Sequence, residues 1–305
     1  MGELTSFLSS TIRLATPTLL AALGILISER SGVLNIGTEG MMLVGALAGV
    51  LGSYYTGSVW LGTIIGMLIT VAFAAIFGIF TVIVKADQTV VGTGMNILAG
   101  GLTITANRAI FGASASPPKI ETFEPVAIPL LKDIPVLGES LFSQTIPGYI
   151  AIIMVIATAF FLFRTNTGLK VRSVGENPQA CDTVGINVTK VRFMAVLYSG
   201  LMAGLAGAFV SMGQLSFFTE GMIAGGGFMA VAAVVFGNYT PWGVFGASIV
   251  FGLSNASSYR LQALSTGIPS EFPNMLPYVI TIIALCVTSR RSKKPASSAV
   301  PYLKS

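Results

Sequence analysis

The stretch GVLNIGTEGM, Gly32–Met41, returns 181 positions later as GQLSFFTEGM, Gly213–Met222, with six of its ten residues unchanged. Each copy ends in Thr-Glu-Gly-Met, a short acidic phrase set in otherwise apolar sequence. A phrase repeated at this distance indicates that the chain contains two related halves. Whether these halves run in the same or in opposite directions depends on the membrane segments that separate the two copies.

The composition indicates that the main solvent of this chain is a lipid bilayer. Of its 305 residues, 53% are hydrophobic and 10% are charged, and the mean hydropathy is +0.81. Soluble proteins carry roughly 25% charged residues. The 35 glycines suit membrane helices, which use small residues to approach one another closely. With no histidine and only two cysteines, neither histidine-based catalysis, a metal site nor a disulfide framework is expected.

Nine segments are predicted as membrane spans, because a spanning helix needs about 20 mostly apolar residues. These segments are 10–28, 33–51, 59–84, 88–111, 147–164, 191–213, 220–238, 243–259 and 271–288. The seventh and eighth are separated only by the turn sequence at 237–241. The predicted fold is therefore an all-α polytopic membrane protein with about nine transmembrane helices.

The spans divide a single transmembrane domain into two halves. The divisions are a first half (1–111), an external proline-rich loop (112–146), a linking span (147–164), a polar segment (165–190), a second half (191–288) and a basic tail (289–305). Lysine and arginine favour the cytoplasmic side. Placing the tail inside puts twelve of the seventeen basic residues on that side, so the N-terminus is predicted outside. One span between two four-span halves inverts the second half, which makes this an inverted repeat.

Both Thr-Glu-Gly-Met phrases are predicted to begin helices. Thr38 and Thr219 suit the N-cap position, where a hydroxyl accepts from a free backbone N–H. Glu39 and Glu220 would then lie in the first turn, where the helix dipole favours negative charge. The alternative interpretation places these carboxylates in a solute pathway, because ionisable residues inside a membrane are costly unless they are used.

Polar and aromatic residues in or next to the spans are the candidates for such a pathway. The candidates are Asn35, Glu39, Asn96, Asn107, Phe217, Glu220 and Phe228. Asparagine amides could hydrogen-bond a polar solute, and aromatic rings could stack on one. The structural alternative for each asparagine is a hydrogen bond to a neighbouring helix. For each phenylalanine it is packing or contact with lipid.

The polar segment 165–190 is predicted to contain a short surface helix. Asn177 suits a cap and Pro178 the first helical position, so a helix would run from about Pro178 to Val184 and end at Gly185. The residues singled out in this segment are Arg172, Gly175, Glu176, Asn177, Pro178, Ala180, Gly185 and Ile186. From the residues alone, the segment could equally be a solvated connection between two spans.

This segment resembles the coupling loop of the permease subunits of bacterial ABC importers in the branched-chain amino acid, ribose and nucleoside group. The matching positions are Arg172, Gly175, Asn177, Ala180, Gly185 and Ile186. The stretch SERSGVLNIGTEGMMLVGALAG, Ser28–Gly49, resembles the opening of the nucleoside branch, in particular the guanosine-type permeases. The resemblance covers the chain from the first span to the ninth.

The resemblance implies a permease in a bacterial cell membrane that moves nucleosides and binds no cofactor itself. ATP and Mg²⁺ would be held by a separate cytoplasmic ATPase, on which the short helix docks. A second homologous permease chain, giving a heterodimer, and an external substrate-binding lipoprotein are implied as well, whereas nucleic acid is not. The chain agrees in having no nucleotide-binding motif: Gly225–Gly227 lacks the lysine and the serine or threonine of a P-loop.

Other functions remain open at this point. The same permease role could serve ribose, another simple sugar or a branched-chain amino acid. An ion-coupled secondary transporter also uses inverted repeats, but it would need a carboxylate relay, for which Glu39 and Glu220 are the candidates. A passive channel for a small polar solute is a further alternative. An enzyme is disfavoured, because no nucleophile–base pair or metal-ligand cluster is apparent.

Overall fold

The first half of the chain forms four helices in the computed structural model, which describes residues 2–112, 120–127, 142–263, 269, 271–288 and 294–303. They are α1 (Gly2–Arg30), α2 (Thr38–Thr56), α3 (Val59–Gly78, continued by a π-helical turn at Ile79–Ile83) and α4 (Gln88–Phe111). The side chain of Asp87 caps α4 by accepting from the backbone N–H of Thr89 and of Val90.

Between the halves lies a short hairpin, followed by one long and two short helices. The elements are β1 (Pro125–Ala127), antiparallel to β2 (Ser143–Thr145), then α5 (Ile146–Arg164), α6 (Asn166–Glu176) and α7 (Pro178–Thr183). The predicted external loop thus contains a strand pair, although residues 113–119 and 128–141 lie outside the described ranges. Helix α6 was not predicted, and the side chain of Thr165 caps it by accepting from the Gly168 N–H.

The second half again forms four helices. They are α8 (Val188–Phe209, continued by a π-helical turn at Val210–Gln214), α9 (Gly226–Phe236), α10 (Pro241–Ala263) and α11 (Glu271–Thr288). The predicted seventh span, 220–238, is only partly helical, because turns occupy its first residues up to Gly225. Gly221, Ala224 and Gly225 have positive φ there, a conformation that no right-handed helix contains.

Among the described residues, five helical segments are long and apolar enough to cross a bilayer, which makes this a multi-pass membrane protein. They are Glu3–Arg30, Val59–Ile83, Gln88–Phe111, Ile146–Arg164 and Val188–Gln214. Helix α9 has 11 residues and is therefore about 16 Å long, roughly half of a hydrocarbon core. Its first two residues, Gly226 and Gly227, are buried within the bundle.

The core is built by α1, α2 and α8, which are the most enclosed helices, and α8 packs against both of the others. Glycines allow the close approaches: a Cβ on Gly207 of α8 would collide with the carbonyl oxygen of Met42 in α2. The outer helices α3, α4 and α5 present large apolar side chains such as Leu68, Ile97 and Phe160 to the surroundings. These exposed side chains are expected to face lipid or a partner subunit.

Contacts across the chain define two ends of the bundle. At the first, which we call the platform end, the guanidinium of Arg30 donates to the Tyr239 carbonyl at 2.6 Å. At the opposite end, the guanidinium of Arg13 donates to the Gly213 carbonyl at 2.6 Å, and the Phe123 N–H donates to the Met212 carbonyl. Helices α1 and α8 run between these ends in opposite directions.

Candidate functional site

The starts of α2 and α9 meet inside the bundle. The carboxylate of Glu39, in the first turn of α2, accepts from the backbone N–H of Gly225 at 2.9 Å and of Gly227 at 2.7 Å. It therefore satisfies two of the N–H groups that the first turn of a helix leaves unpaired. A Cβ on Gly227 would lie against the backbone of Glu39, so only glycine permits this approach. We call this contact the helix-start junction.

The neighbouring helix α4 completes the junction. The side-chain oxygen of Asn96 accepts from the Gly40 N–H at 2.8 Å, and its amide donates to the Ile36 carbonyl at 3.1 Å. Asn35 is fully buried and donates to the Ser199 hydroxyl at 3.0 Å. Both asparagines thus bond neighbouring elements, which is the structural alternative stated above for such residues.

The capping prediction for the two threonines is wrong. The hydroxyl of Thr38 donates to the Asn35 carbonyl at 2.9 Å instead of accepting from an N–H, because Asn96 supplies the acceptor at this helix start. No helix begins at Thr219, since the chain continues through turns to Gly226. Glu220 is therefore not in a first helical turn either.

The other candidate residues lie apart from the junction. Glu220 forms an exposed ion pair with Arg108 of α4, at 2.8 Å. Phe228 on α9 is 51% exposed, Phe217 is partly buried in the turn segment before α9, and Asn107 is partly buried on α4. The seven predicted pathway residues therefore do not form one cluster, although Asn35, Glu39 and Asn96 all lie around the start of α2.

The short helix α7 forms as predicted, with a cap at each end. The Asn177 side chain accepts from the Ala180 N–H at 3.0 Å, and Pro178 occupies the first helical position. At the other end Gly185 has a φ of +82° and its N–H donates to the Asp182 carbonyl, while the Ile186 N–H donates to the Cys181 carbonyl. This pair of bonds is a Schellman motif, which ends a helix where glycine adopts the left-handed conformation.

The remaining residues of this segment hold α6 and α7 against the bundle. A Cβ on Gly175 would collide with the carbonyl oxygen of Arg30, so glycine lets the end of α6 touch the end of α1. The guanidinium of Arg172 lies 5.0 Å from the ring centroid of Phe163. Ala180 is exposed and borders a groove between α6 and α7 together with Leu169 and Val184.

The chain after the last helix packs on this segment, which the sequence did not indicate. The Ser297 N–H donates to the Gly175 carbonyl at 2.9 Å, and the Ala296 N–H donates to a carboxylate oxygen of Glu176 at 3.3 Å. Arg192, buried in α8, donates to the Val300 carbonyl at 2.8 Å and to the Ser31 carbonyl at 3.1 Å. We call residues 165–187 together with 294–303 the platform.

A small apolar cluster supports the platform from inside. It consists of Val174, Cys181 and Val188, with the ring of Tyr302 packed against it. Burial raises the pKa of the Cys181 thiol, so this thiol is a packing group and a poor nucleophile. The sequence signal missed here is a run of small and apolar residues in the basic tail, Pro295 to Val300.

Two helix starts that meet within a bundle, with a structured platform at one end of it, are features typical of membrane transport proteins. Comparison with known proteins identifies the family within this class. Residues 7–285 match the family model described as branched-chain amino acid transport system / permease component. The chain belongs to this permease family, so it is a membrane transport subunit and not an enzyme.

Several relatives that match nearly the whole chain are named as ABC transporter permeases. The chain is 40% identical to the guanosine ABC transporter permease protein NupQ of Bacillus subtilis, over 97% of this chain and 95% of the relative. It is 36% identical to the nucleoside ABC transporter permease protein NupC of Lactococcus lactis, over 95% and 94%. It is 38% identical to the putative glucose ABC transporter permease protein TsgC13 of Haloferax volcanii, over 90% and 83%. No significant match was found among the solved structures.

Proposed function

We propose that this permease forms the translocation pathway for nucleosides in an ATP-driven importer of a bacterial cell membrane. The assignment of nucleosides as cargo rests on the similarity, over nearly the whole chain, to permeases named for guanosine and for nucleosides. A simple sugar is the second candidate cargo, because a relative of similar identity is named for glucose. The absence of a nucleotide-binding motif from the sequence fits a system in which a partner ATPase holds ATP and Mg²⁺.

The proposed architecture is an inverted repeat in which α1 to α4 correspond to α8 to α11, with α5 as the extra span. Helix packing supports this correspondence, since the main contacts among these eight helices have counterparts under exchange of the halves. Helix α1 packs on α10 as α8 packs on α3, and α2 packs on α8 as α9 packs on α1. The pairs α2–α4 and α9–α11 match in the same way. Nine membrane-crossing or membrane-embedded helices result.

The platform end is proposed to be cytoplasmic. Arg30, Arg164, Lys170, Arg172, Lys190 and Arg192 all lie at or near this end, as the excess of basic residues on the cytoplasmic side requires. The hairpin β1–β2 and the start of α1 would then be external. In this orientation the chain begins outside and residues 294–303 lie inside.

We propose that the groove between α6 and α7 is where the ATPase docks. Val184 is 74% exposed and Leu169 is 53% exposed, although both lie on a polar segment outside the bundle. Large apolar side chains in contact with water indicate a surface that a partner covers. A second permease chain and an external binding lipoprotein are proposed as further partners, on the strength of the family resemblance.

Uptake measurements test cargo and docking together. Cells that lack this gene would receive the wild type, Ala180→Glu or the control Gln179→Glu, which adds a charge to the same exposed helix away from the groove. We expect the wild type and Gln179→Glu to restore uptake of labelled guanosine, and Ala180→Glu to abolish it with normal membrane abundance. If only glucose or ribose uptake were restored, the cargo would be a simple sugar and the nucleoside assignment would be wrong. Normal transport by Ala180→Glu would refute the docking site.

A further inference from the structure

A cavity of about 380 Å³ lies next to the helix-start junction, between α1, α9, α10 and α11. Gly226 lines it, and the two flanking glycines are those that Glu39 holds. Small-molecule sites have volumes of roughly 300–1,000 Å³, so the cavity is large enough for one small solute. None of the seven residues predicted for the pathway is among its described lining residues.

Two prolines within helices line the cavity. Pro17 lies inside α1 and Pro277 inside α11, and neither can donate to the carbonyl four residues earlier. The freed Arg13 carbonyl accepts from the Gln214 amide at 3.1 Å, and the freed Pro273 carbonyl accepts from the Ser258 hydroxyl at 2.6 Å. Side chains of the cavity wall thus repair both breaks, which keeps each irregular helix stable inside the bundle.

Two further polar groups in the wall do not take part in hydrogen bonds of this kind. The Thr18 hydroxyl and the Asn255 amide both line the cavity, and neither has a hydrogen-bond partner among the described residues. Thr18 is 4% exposed and Asn255 is partly buried. Polar groups in a protein interior are normally paired with protein, water or a ligand, so these two side chains are available to a solute bound in the cavity. By contrast, Thr16, two residues earlier, is paired: its hydroxyl donates to the Ile12 carbonyl at 2.9 Å.

We infer that this cavity is a binding site on the route of the transported solute, and that Thr18 and Asn255 are the groups that recognise it. A hydroxyl and an amide offer both donors and acceptors without charge, which suits a neutral solute carrying several hydroxyl or amide groups. Tyr259 and Tyr278 add aromatic rings to the wall, and these can stack on a planar base. The inference rests on the proposed function, because it identifies that neutral solute as a nucleoside.

Chemical labelling tests the site directly, without relying on transport. Thr18→Cys, Asn255→Cys and the control Thr16→Cys would be made in the full chain after replacement of both native cysteines. We expect a small water-soluble methanethiosulfonate reagent to label the first two and to leave Thr16→Cys unmodified. Excess uridine, used as a soluble nucleoside, is expected to slow labelling of Thr18→Cys and Asn255→Cys several-fold. A merely structural role for these positions predicts no such protection.

Transport by near-isosteric variants gives the second measurement. In the assembled importer, Thr18→Val and Asn255→Leu are expected to lower the maximal rate of nucleoside uptake roughly five- to tenfold, the loss of about one hydrogen bond. Thr16→Val is expected to transport like the wild type. If the wild type transports glucose instead, and glucose protects the cysteines, the site stands and only its cargo is wrong. If no transported solute protects them and both variants transport normally, the inference is refuted.

Discussion

Replacing Glu39 tests whether the helix-start junction holds the two halves together. Its carboxylate accepts two backbone N–H groups of the other half, at 2.9 Å and 2.7 Å, and its side chain is largely enclosed. Hydrogen bonds to a charged group contribute about 1.5–3 kcal/mol each. Glu39→Ala removes both bonds and leaves two enclosed donors, so we expect the free energy of unfolding to fall by about 3 kcal/mol or more. Glu39→Gln keeps one acceptor oxygen and is expected to lose about half as much.

The second copy of the same tetrapeptide provides a matched control. Glu220→Ala removes an exposed ion pair with Arg108, whose partners are screened by solvent, so no measurable loss of stability is expected. Unfolding of the purified variants would be followed by circular dichroism as sodium dodecyl sulfate is added to mixed micelles. Equal stability of Glu39→Ala and Glu220→Ala would refute the reasoning, because two copies of one phrase would then be equivalent.

Two further predictions concern close packing and the platform. Gly207→Ala is expected to destabilise the bundle by about 1–3 kcal/mol, because its Cβ would strike the Met42 carbonyl, whereas Gly101→Ala, with open space around it, should be neutral or slightly stabilising in the same unfolding assay. Tyr302→Ala is expected to speed maleimide labelling of Cys181 at neutral pH in a chain without other cysteines, because loss of burial lowers the raised pKa of this thiol and exposes it. Unchanged labelling would mean that the tail does not cover the cluster.

The sequence predicted the helices wherever hydrophobic length alone determines them. All nine apolar segments contain helix, and the short helix at Pro178–Thr183 lies where Asn177 and Gly185 indicated. These features are local, since a cap, a proline and a glycine lie within a few residues of the helix that they bound. The same is true of the resemblance to permeases, whose motif residues lie within two short stretches, Ser28–Gly49 and Arg172–Ile186.

The helix-start junction could not be predicted, because its partners lie far apart in the sequence. The Thr-Glu-Gly-Met repeat suggested equivalent helix starts. However, the backbone turns at Gly221 and Gly225, so the second helix begins only at Gly226. Glu39 therefore stabilises the helix of the other half instead of its own. Its identical counterpart Glu220 meets only Arg108.

The platform tail was also missed, for a different reason. A stretch of small and basic residues predicts a solvated end, and its main bonds are made by backbone groups, whose N–H and carbonyl do not depend on residue type. Two weak signals were present in the sequence: the small and apolar run Pro295–Val300, and Arg192, a cation within an apolar helix that required acceptors. Which groups serve as these acceptors depends on the folded structure and cannot be predicted from the sequence.

The tail also determines when, during synthesis of the chain, the platform can finish folding. Residues 294–303 leave the ribosome after all the described membrane helices, yet they contribute backbone bonds to α6, near the middle of the chain. A nascent permease whose helices are already inserted therefore still lacks part of its platform. If the proposed docking of the ATPase on this platform is right, its contact surface is completed only late in translation.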